Sequence, residues 1–149
     1  MKRIVIIDGQ GGGMGRAIIE RIRRDGLTAE LVAAGTNAMA TSAMMKAGAD
    51  AGASGESAVI WNCARADLIV GPIGIIAAGS MMGELSGAMA EAIGSSTAQK
   101  ILLPVSRCHI DVVGVSDSPL PARLDDMMRM IRSYMTPQDR VLNESGGLL

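Results

Sequence analysis

The most constraining feature of this sequence is a cluster of glycines, which account for five of the seven residues from Gly9 to Gly15. The run Ile4–Ile7 before the cluster is continuous and β-branched, which is typical of a strand buried on both faces of a parallel sheet. After the cluster, Ile18 and Ile22 recur at helical spacing among charged residues, which predicts an amphipathic helix. A strand, a glycine turn and a helix in this order predict the start of a parallel α/β fold.

The rest of the chain continues the alternation of strands and helices. Further strands are predicted at about 29–34, 50–53 (a sheet edge), 66–71, 100–103 and 110–115. Helices are predicted at about 38–47, 54–65, 86–93 and 121–135. We therefore expect a doubly wound, Rossmann-like parallel sheet of five to six strands with helices on both faces. One domain is expected over residues 1–137, followed by a C-terminal tail at 138–149.

Composition excludes several classes of function. A formal net charge of −1 over 149 residues provides no field for a polyanion, and one Trp, one Tyr and no Phe leave few stacking surfaces, so we expect no nucleic-acid partner. The apolar stretch 68–83 is too short for a membrane span, and no membrane association is expected. Two cysteines and the absence of a secretory pattern favour a cytoplasmic protein.

The glycine cluster lies where a parallel α/β fold binds phosphate. Glycines at a strand-to-helix junction let backbone N–H groups approach an anion at the helix N-terminus. Gly9, Gly13 and Gly15 form G-x-x-x-G-x-G, followed by Arg16, and this pattern resembles the cofactor loop of the short-chain dehydrogenases/reductases. The resemblance continues at residues 67–74 and implies a cofactor-binding half over about residues 3–75.

The catalytic motif of that family is missing. The family's Tyr-x-x-x-Lys has no match, because Tyr134 is followed four residues later by Gln138. The resemblance therefore implies cofactor binding without the reductase chemistry. Its implied cofactor-binding residues are Gly9, Gln10, Gly11, Gly12, Gly13, Met14, Gly15, Arg16, Gly35, Thr36, Asn37, Gly71 and Pro72.

The residues after the second strand indicate which nucleotide to expect. Gly35, Thr36 and Asn37 include no acid to accept hydrogen bonds from a ribose, and Arg16 stands where some NADP-preferring relatives of the dehydrogenases carry a basic residue. We therefore expect NADP(H), with another nucleotide or coenzyme A as alternatives. The glycine cluster also has a purely structural interpretation, as a tight turn.

A second resemblance covers nearly the whole chain. It is similar to small bacterial proteins that are grouped as a domain of unknown function. The segments that carry this resemblance are 8–13, 35–37, 40–44, 46–49 and 100–104. It supports the fold and implies no activity.

Candidate substrate-binding residues follow the later strands. They are Ser80, Glu84, Ser106, Arg107, Cys108 and His109. Arg107 is the strongest anchor for a carboxylate or phosphate, with a solvated surface arginine as the alternative. Cys108 and His109 are neighbours on an extended chain and point to opposite faces, so no nucleophile–base pair is expected, and catalytic residues stay unassigned. The spacing of the cysteines and the histidine predicts no metal site.

The glycine- and methionine-rich stretch 73–83 completes the sequence-based expectations. If this stretch is helical, Gly79, Gly83 and Gly87 line one face, on which we expect a homodimer to form, with ordinary core packing within the chain as the alternative. Three functions fit these patterns. The first is a nucleotide-binding or sensory protein, the second a small NADP-dependent oxidoreductase with a substrate site near Ser80, Glu84, Arg107 and His109, and the third an oligomeric scaffold or interaction protein.

Overall fold

The computed structural model describes residues 1–105 and 108–136, which form five strands and five α-helices. The strands are β1 (Arg3–Asp8), β2 (Glu30–Gly35), β3 (Ala51–Ser54), β4 (Leu68–Pro72) and β5 (Gln99–Leu103). The helices are α1 (Gly13–Arg24), α2 (Ala38–Lys46), α3 (Glu56–Cys63), α4 (Gly87–Ser95) and α5 (Leu120–Met135), with a short 3-10 helix at Ile73–Ile76. Within the described ranges, no helix is long and apolar enough to cross a membrane.

The five strands form one parallel sheet in the order β3-β2-β1-β4-β5. In the centre of the sheet, Ile4 is level with Leu31 of β2 on one side and with Leu68 of β4 on the other. The chain builds outward from β1 to β3 and then crosses back to β4. The crevice at the carboxyl ends of β1 and β4 is therefore the point at which the strand order reverses, where doubly wound sheets bind their ligands. The predicted α/β, doubly wound fold is confirmed.

The core forms because alternate residues of each strand face opposite sides of the sheet. Val5 and Ile7 lie in an apolar cluster with Val59 of α3 and with Met89 and Ile93 of α4. The alternation directs the side chains of Ile4 and Ile6 to the other face. Helix α1 packs against α2, and α3 packs against α4, so that both faces of the sheet are covered.

Two predicted elements are wrong. The stretch 73–83 forms a helix only over the 3-10 turn Ile73–Ile76, because Gly79 and Gly83 have φ of 84° and 88°, which a right-handed helix does not accommodate. Consequently, the glycine face on which the homodimer expectation rested does not exist, and the homodimer stays a prediction. Residues 110–115 form no strand, and Val113 is fully exposed there. The third strand is confirmed as a sheet edge, with all of Ala51–Ser54 exposed.

The chain divides into two compact units, Met1–Ser116 and Asp117–Leu149. The sheet and helices α1 to α4 belong to the first unit, and α5 belongs to the second. The helix predicted at about 121–135 corresponds to α5, whose buried residues are Leu124, Met127, Met128 and Ile131. The single domain predicted over 1–137 stays a prediction, and the predicted tail at 138–149 lies outside the described residues.

Candidate functional site

A cavity of about 640 Å³ lies at the carboxyl ends of the central strands, within the unit Met1–Ser116. Its lining comprises residues 8–14, from the end of β1 and the following loop, Pro72 and Gly74 after β4, residues 77–82, and Val105, Cys108 and His109 after β5. We call residues 9–15 the glycine loop and residues 77–85 the methionine turn. The volume is in the range of small-molecule sites.

Asp8 organises the glycine loop from the inside. Its side chain is 5% exposed, with Oδ1 accepting from the backbone N–H of Gly9 at 2.8 Å and Oδ2 from that of Gly15 at 2.7 Å. Burial raises the pKa of the Asp8 carboxyl, although the backbone hydrogen bonds from Gly15, Gly9 and Met14 act to lower it. The carboxylate therefore satisfies one donor at the start of the glycine loop and one in the first turn of α1.

Three glycines of the loop are required by packing. A Cβ at Gly15 would lie 2.4 Å from Sδ of Met44, and one at Gly9 would lie 2.6 Å from neighbouring side-chain atoms. Gly12 has a φ of 74°, and a Cβ there would lie 2.8 Å from the backbone of Ala40. Close packing therefore favours glycine at every third residue of the loop, at positions 9, 12 and 15. This spacing differs from the 9, 13 and 15 pattern that carried the resemblance to the dehydrogenases, and that resemblance is not shown.

Gly11 and Gly13 have a different role in the loop. A Cβ at either position would meet no atom within 4 Å, and both residues line the cavity. Within the part of the chain that the structure describes, their backbone N–H groups have no acceptor. The loop therefore has two amide donors without an acceptor among the described residues, and both belong to residues that line the cavity beside the positive end of α1.

Strained backbone is concentrated around the same cavity. Among the described residues, the non-glycine residues with positive φ are Gln10 at 50° and Met81, Met82 and His109 at 57°. All four line the cavity. Such conformations cost about 1–3 kcal/mol each and are concentrated at functional sites, so their clustering supports this cavity as the site.

Glu84, from the methionine turn, connects the glycine loop to the end of β2. Its Oε2 accepts from the backbone N–H of Gln10 at 3.0 Å, and its Oε1 accepts from the Thr36 hydroxyl at 3.2 Å and from Nδ2 of Asn37. Asn37 Nδ2 also donates to the carbonyl of Gln10 at 3.0 Å. An acid therefore does lie at the end of β2, although the sequence next to β2 contains none.

The structure brings only part of the predicted site together. The predicted residues that line the cavity are Gly9, Gln10, Gly11, Gly12, Gly13, Met14, Pro72, Ser80, Cys108 and His109. Those outside its lining are Gly15, Arg16, Gly35, Thr36, Asn37, Gly71 and Glu84. Ser106 and Arg107 lie outside the described residues. Within the described chain, no three His, Cys, Asp or Glu side chains are grouped so as to hold a metal ion.

The hydroxyl and thiol groups that line the cavity donate hydrogen bonds to backbone carbonyls. Ser80 Oγ donates to the carbonyl of Gly74 at 2.5 Å, and Cys108 Sγ donates to that of Val105 at 3.3 Å. Sequence reasoning missed Asp8, whose position directly before the glycines was the available signal. It also missed the methionines of the 77–85 turn as cavity residues, because the stretch was assigned to a helix.

Comparison with solved structures finds one described as a dodecameric FMN-dependent Ubix-like decarboxylase from Escherichia coli O157:H7. The two chains are 19% identical, the match covers 91% of this chain and 78% of the other, and the TM-score is 0.44. No curated protein matches the sequence.

The prediction of NADP(H) is wrong. The geometry of this chain opposes a 2′-phosphate at the end of β2. Arg16, the proposed basic partner, is exposed and pairs with Glu20 at 2.8 Å, while the Glu84 carboxylate lies against Thr36 at the end of β2. A carboxylate at that point repels a phosphate.

A model of the family described as "Domain of unknown function (DUF3842)" matches residues 3–136.

Proposed function

The chain belongs to the family described as Domain of unknown function (DUF3842), and we propose that it is a nucleotide-binding protein whose ligand occupies the cavity at the ends of β1 and β4. The observation that carries the proposal is the pair of amides at Gly11 and Gly13, which have no acceptor among the described residues and belong to residues that line the cavity. This proposal keeps the predicted ligand class and leaves out NADP(H).

The phosphate of the ligand would bind on the outer side of the glycine loop, by which we mean the side away from Asp8. Asp8 already accepts from Gly9 and Gly15 on the inner side, so the inner donors are not available to a ligand. The amides of Gly11 and Gly13 are the remaining donors, and the N-terminus of α1 adds partial positive charge. A loop that uses its own carboxylate on one side and a ligand phosphate on the other leaves no amide unsatisfied in the bound state.

The body of the nucleotide would lie against apolar walls. The apolar residues that line the cavity include Met14, Ala77, Ala78, Met81 and Val105. Methionine adapts its shape and makes favourable contacts with aromatic rings, which suits the flat base of a nucleotide. A cavity of about 640 Å³ with a phosphate-binding end and an apolar body matches this ligand class better than a small inorganic anion.

We assign a binding or sensory role and no reaction. Ser80 and Cys108 both donate to backbone carbonyls and not to a general base, so neither is arranged as an activated nucleophile. The alternative of a small NADP-dependent oxidoreductase is not retained, because the NADP(H) prediction is wrong. Ser106, Arg107 and His109 stay candidate contacts for the ligand's polar groups.

A ligand screen with a matched pair of variants tests the proposal. Thermal unfolding is measured with AMP, ATP, FMN, FAD, NAD⁺ and coenzyme A, and hits are quantified by calorimetric titration. A ligand at about 100 times its Kd adds about 2.7 kcal/mol to the free energy of unfolding and shifts the Tm by several degrees. We expect at least one nucleotide to stabilise the protein in this way.

Gly13→Val and Gly87→Val are the matched variants. Each glycine is the first residue of a helix, is exposed, lacks a positive φ and leaves open space at its Cβ, but only Gly13 lines the cavity. We expect Gly13→Val to fold and to weaken binding by at least about 100-fold, and Gly87→Val to bind as the wild type does. Stabilisation by none of the nucleotides, or equal affinity in both variants, would contradict the proposal and favour a purely structural glycine loop.

A further inference from the structure

The crevice between the carboxyl ends of β1 and β2 is occupied by a side chain of the protein itself. In doubly wound dinucleotide sites, the adenosine ribose lies in this part of the fold, where an acid near the end of β2 accepts hydrogen bonds from the ribose hydroxyls. Here the end of β2 supplies donors, from Thr36 and Asn37, and the acid is Glu84, which reaches them from the methionine turn.

The contacts of Glu84 use the polar groups that a second nucleotide half would need. Both carboxylate oxygens are engaged, with Gln10, Thr36 and Asn37 as the donors. Hydrogen bonds to an ionised acceptor are about twice as strong as neutral ones, so a neutral ribose competes poorly for these donors. A phosphate would in addition meet the negative charge of the carboxylate.

The backbone beneath Glu84 holds the side chain in this position. The N–H of Glu84 donates to the carbonyl of Met81 at 3.2 Å, and the neighbouring Leu85 is fully buried. The carbonyl of Leu85 accepts from Gly79 at 2.7 Å, and its N–H donates to Ser80 at 3.2 Å. The turn that carries Glu84 is thus anchored in the core and closed by its own hydrogen bonds.

The donors keep their positions by contacts that do not involve Glu84. Asn37 Oδ1 accepts from the N–H of Ala40 at 2.9 Å as the N-cap of α2, and Asn37 Nδ2 also donates to Gln10. The N–H of Thr36 donates to the carbonyl of Asp8 at 3.0 Å. Removing the Glu84 side chain therefore leaves the donors in place and free.

We propose that Glu84 closes the β1–β2 half of the crevice and thereby restricts the protein to mononucleotides. This inference rests on the proposed nucleotide site and adds the size limit of its ligand. Glu84 does not line the cavity, although it accepts from Gln10, which does. We therefore expect its removal to leave the mononucleotide site in place and to free the side chains of Thr36 and Asn37 for a second nucleotide half.

The test compares each mononucleotide with the dinucleotide that contains it. FMN and FAD form one pair, and nicotinamide mononucleotide and NAD⁺ form the other. Calorimetric titration gives the Kd of each probe for the wild type, for Glu84→Ala and for Glu91→Ala, which removes an exposed carboxylate of α4 that does not line the cavity. Glu84→Ser, which also removes the carboxylate and shortens the side chain, serves in place of Glu84→Ala if the latter fails to fold.

In the wild type and in Glu91→Ala, we expect the dinucleotide to bind no more tightly than its mononucleotide. In Glu84→Ala, we expect the affinity for the dinucleotide to increase at least about tenfold relative to the affinity for its mononucleotide, in whichever of the two pairs binds. Amide hydrogen exchange gives a readout that needs no ligand, because loss of the acceptor should accelerate exchange at Gln10 by at least about tenfold.

Two results would overturn the inference while leaving the proposed function intact. The first is that the wild type binds a dinucleotide more than about tenfold more tightly than its mononucleotide. The second is that Glu84→Ala leaves the ratio of the two Kd values unchanged. Unchanged exchange at Gln10 would show that the Glu84 contact is absent in solution and would also overturn it. Binding of none of the four probes to any variant would overturn this inference, and it would contradict the proposed function as well only if AMP, ATP and coenzyme A also fail to bind.

Discussion

The carboxylate of Asp8 lies 2.7 Å from the backbone nitrogen of Gly15, across the turn that joins β1 to α1. Gly15 must be glycine for this approach, since a Cβ there would lie 3.0 Å from the Cβ of Asp8 and 2.4 Å from Met44. The pair fixes the glycine loop without any ligand, so the outer amides are already positioned when a ligand arrives. Such preorganisation reduces the entropic cost of binding.

Asp8→Asn should lower the free energy of unfolding by about 1–3 kcal/mol. The asparagine is nearly isosteric, but its NH₂ group must face at least one of the amides of Gly9 and Gly15, where two donors then meet. Urea unfolding at neutral pH measures the change. Asp67→Asn is the control, because Asp67 accepts from the N–H of Arg3 at an exposed position, and a loss below about 1 kcal/mol is expected there. Equal losses in the two variants would argue against the role assigned to Asp8.

The stability of the wild type relative to Asp8→Asn should fall as the pH rises. Burial raises the pKa of Asp8 above its ordinary value of 3.8, so the folded state binds the proton more tightly than the unfolded state does. This contribution is complete below the unfolded pKa and is lost as the pH passes through the folded pKa. Urea unfolding of both proteins at intervals from about pH 3 to about pH 7 tests the trend. A difference that grows with pH would mean that the pKa in the folded state is lowered.

The fold was predictable because its signals are local. The run Ile4–Ile7 has the composition of a buried parallel strand, and the isoleucines of α1 repeat with the period of a helix. Each pattern needs only the residues of its own element, and the alternation of strands and helices then limits the topology to very few choices.

The site was less predictable because it depends on contacts between distant residues. Glu84 reaches Thr36 from 48 positions away, so inspection of the residues after β2 found no acid. The stretch 73–83 has a helical composition, yet Gly79 and Gly83 take up positive φ and turn it into part of the cavity wall. A glycine-rich sequence does not show which glycines bend the chain and which only leave space, and here the two kinds alternate within a single loop.

Gly12→Ala and Gly13→Ala should have opposite effects on stability, although the two substitutions are identical and adjacent. At Gly12 the new Cβ would lie 2.8 Å from the backbone of Ala40 and would force an L residue to a φ of 74°. We expect a loss of about 2 kcal/mol or more in the free energy of unfolding. At Gly13, on the first turn of α1, the Cβ meets nothing, and we expect no loss or a gain of up to about 1 kcal/mol. Urea unfolding of both variants measures the change in the free energy of unfolding. Comparable losses in the two variants would contradict the division of the loop into structural and ligand-facing glycines.

The two cysteines should differ sharply in reactivity toward a thiol reagent. Burial raises the pKa of the Cys63 thiol to about 11, and its side chain is 1% exposed, so little thiolate forms and the reagent cannot approach it. Cys108 is partly exposed and lines the cavity. At about pH 8 we expect Cys108 to react at least about 100-fold faster than Cys63, with the second thiol released only by denaturant.

Titration with a disulfide reagent that releases a coloured thiol gives the stoichiometry in native and denatured protein. Cys108→Ser is the control and should abolish the fast reaction without altering the slow one. Fast reaction of both thiols in the native state would contradict the burial of Cys63 in the apolar cluster. A nucleotide that slows the reaction of Cys108 but leaves that of Cys63 unchanged would locate its binding in the cavity, because Cys63 does not line it.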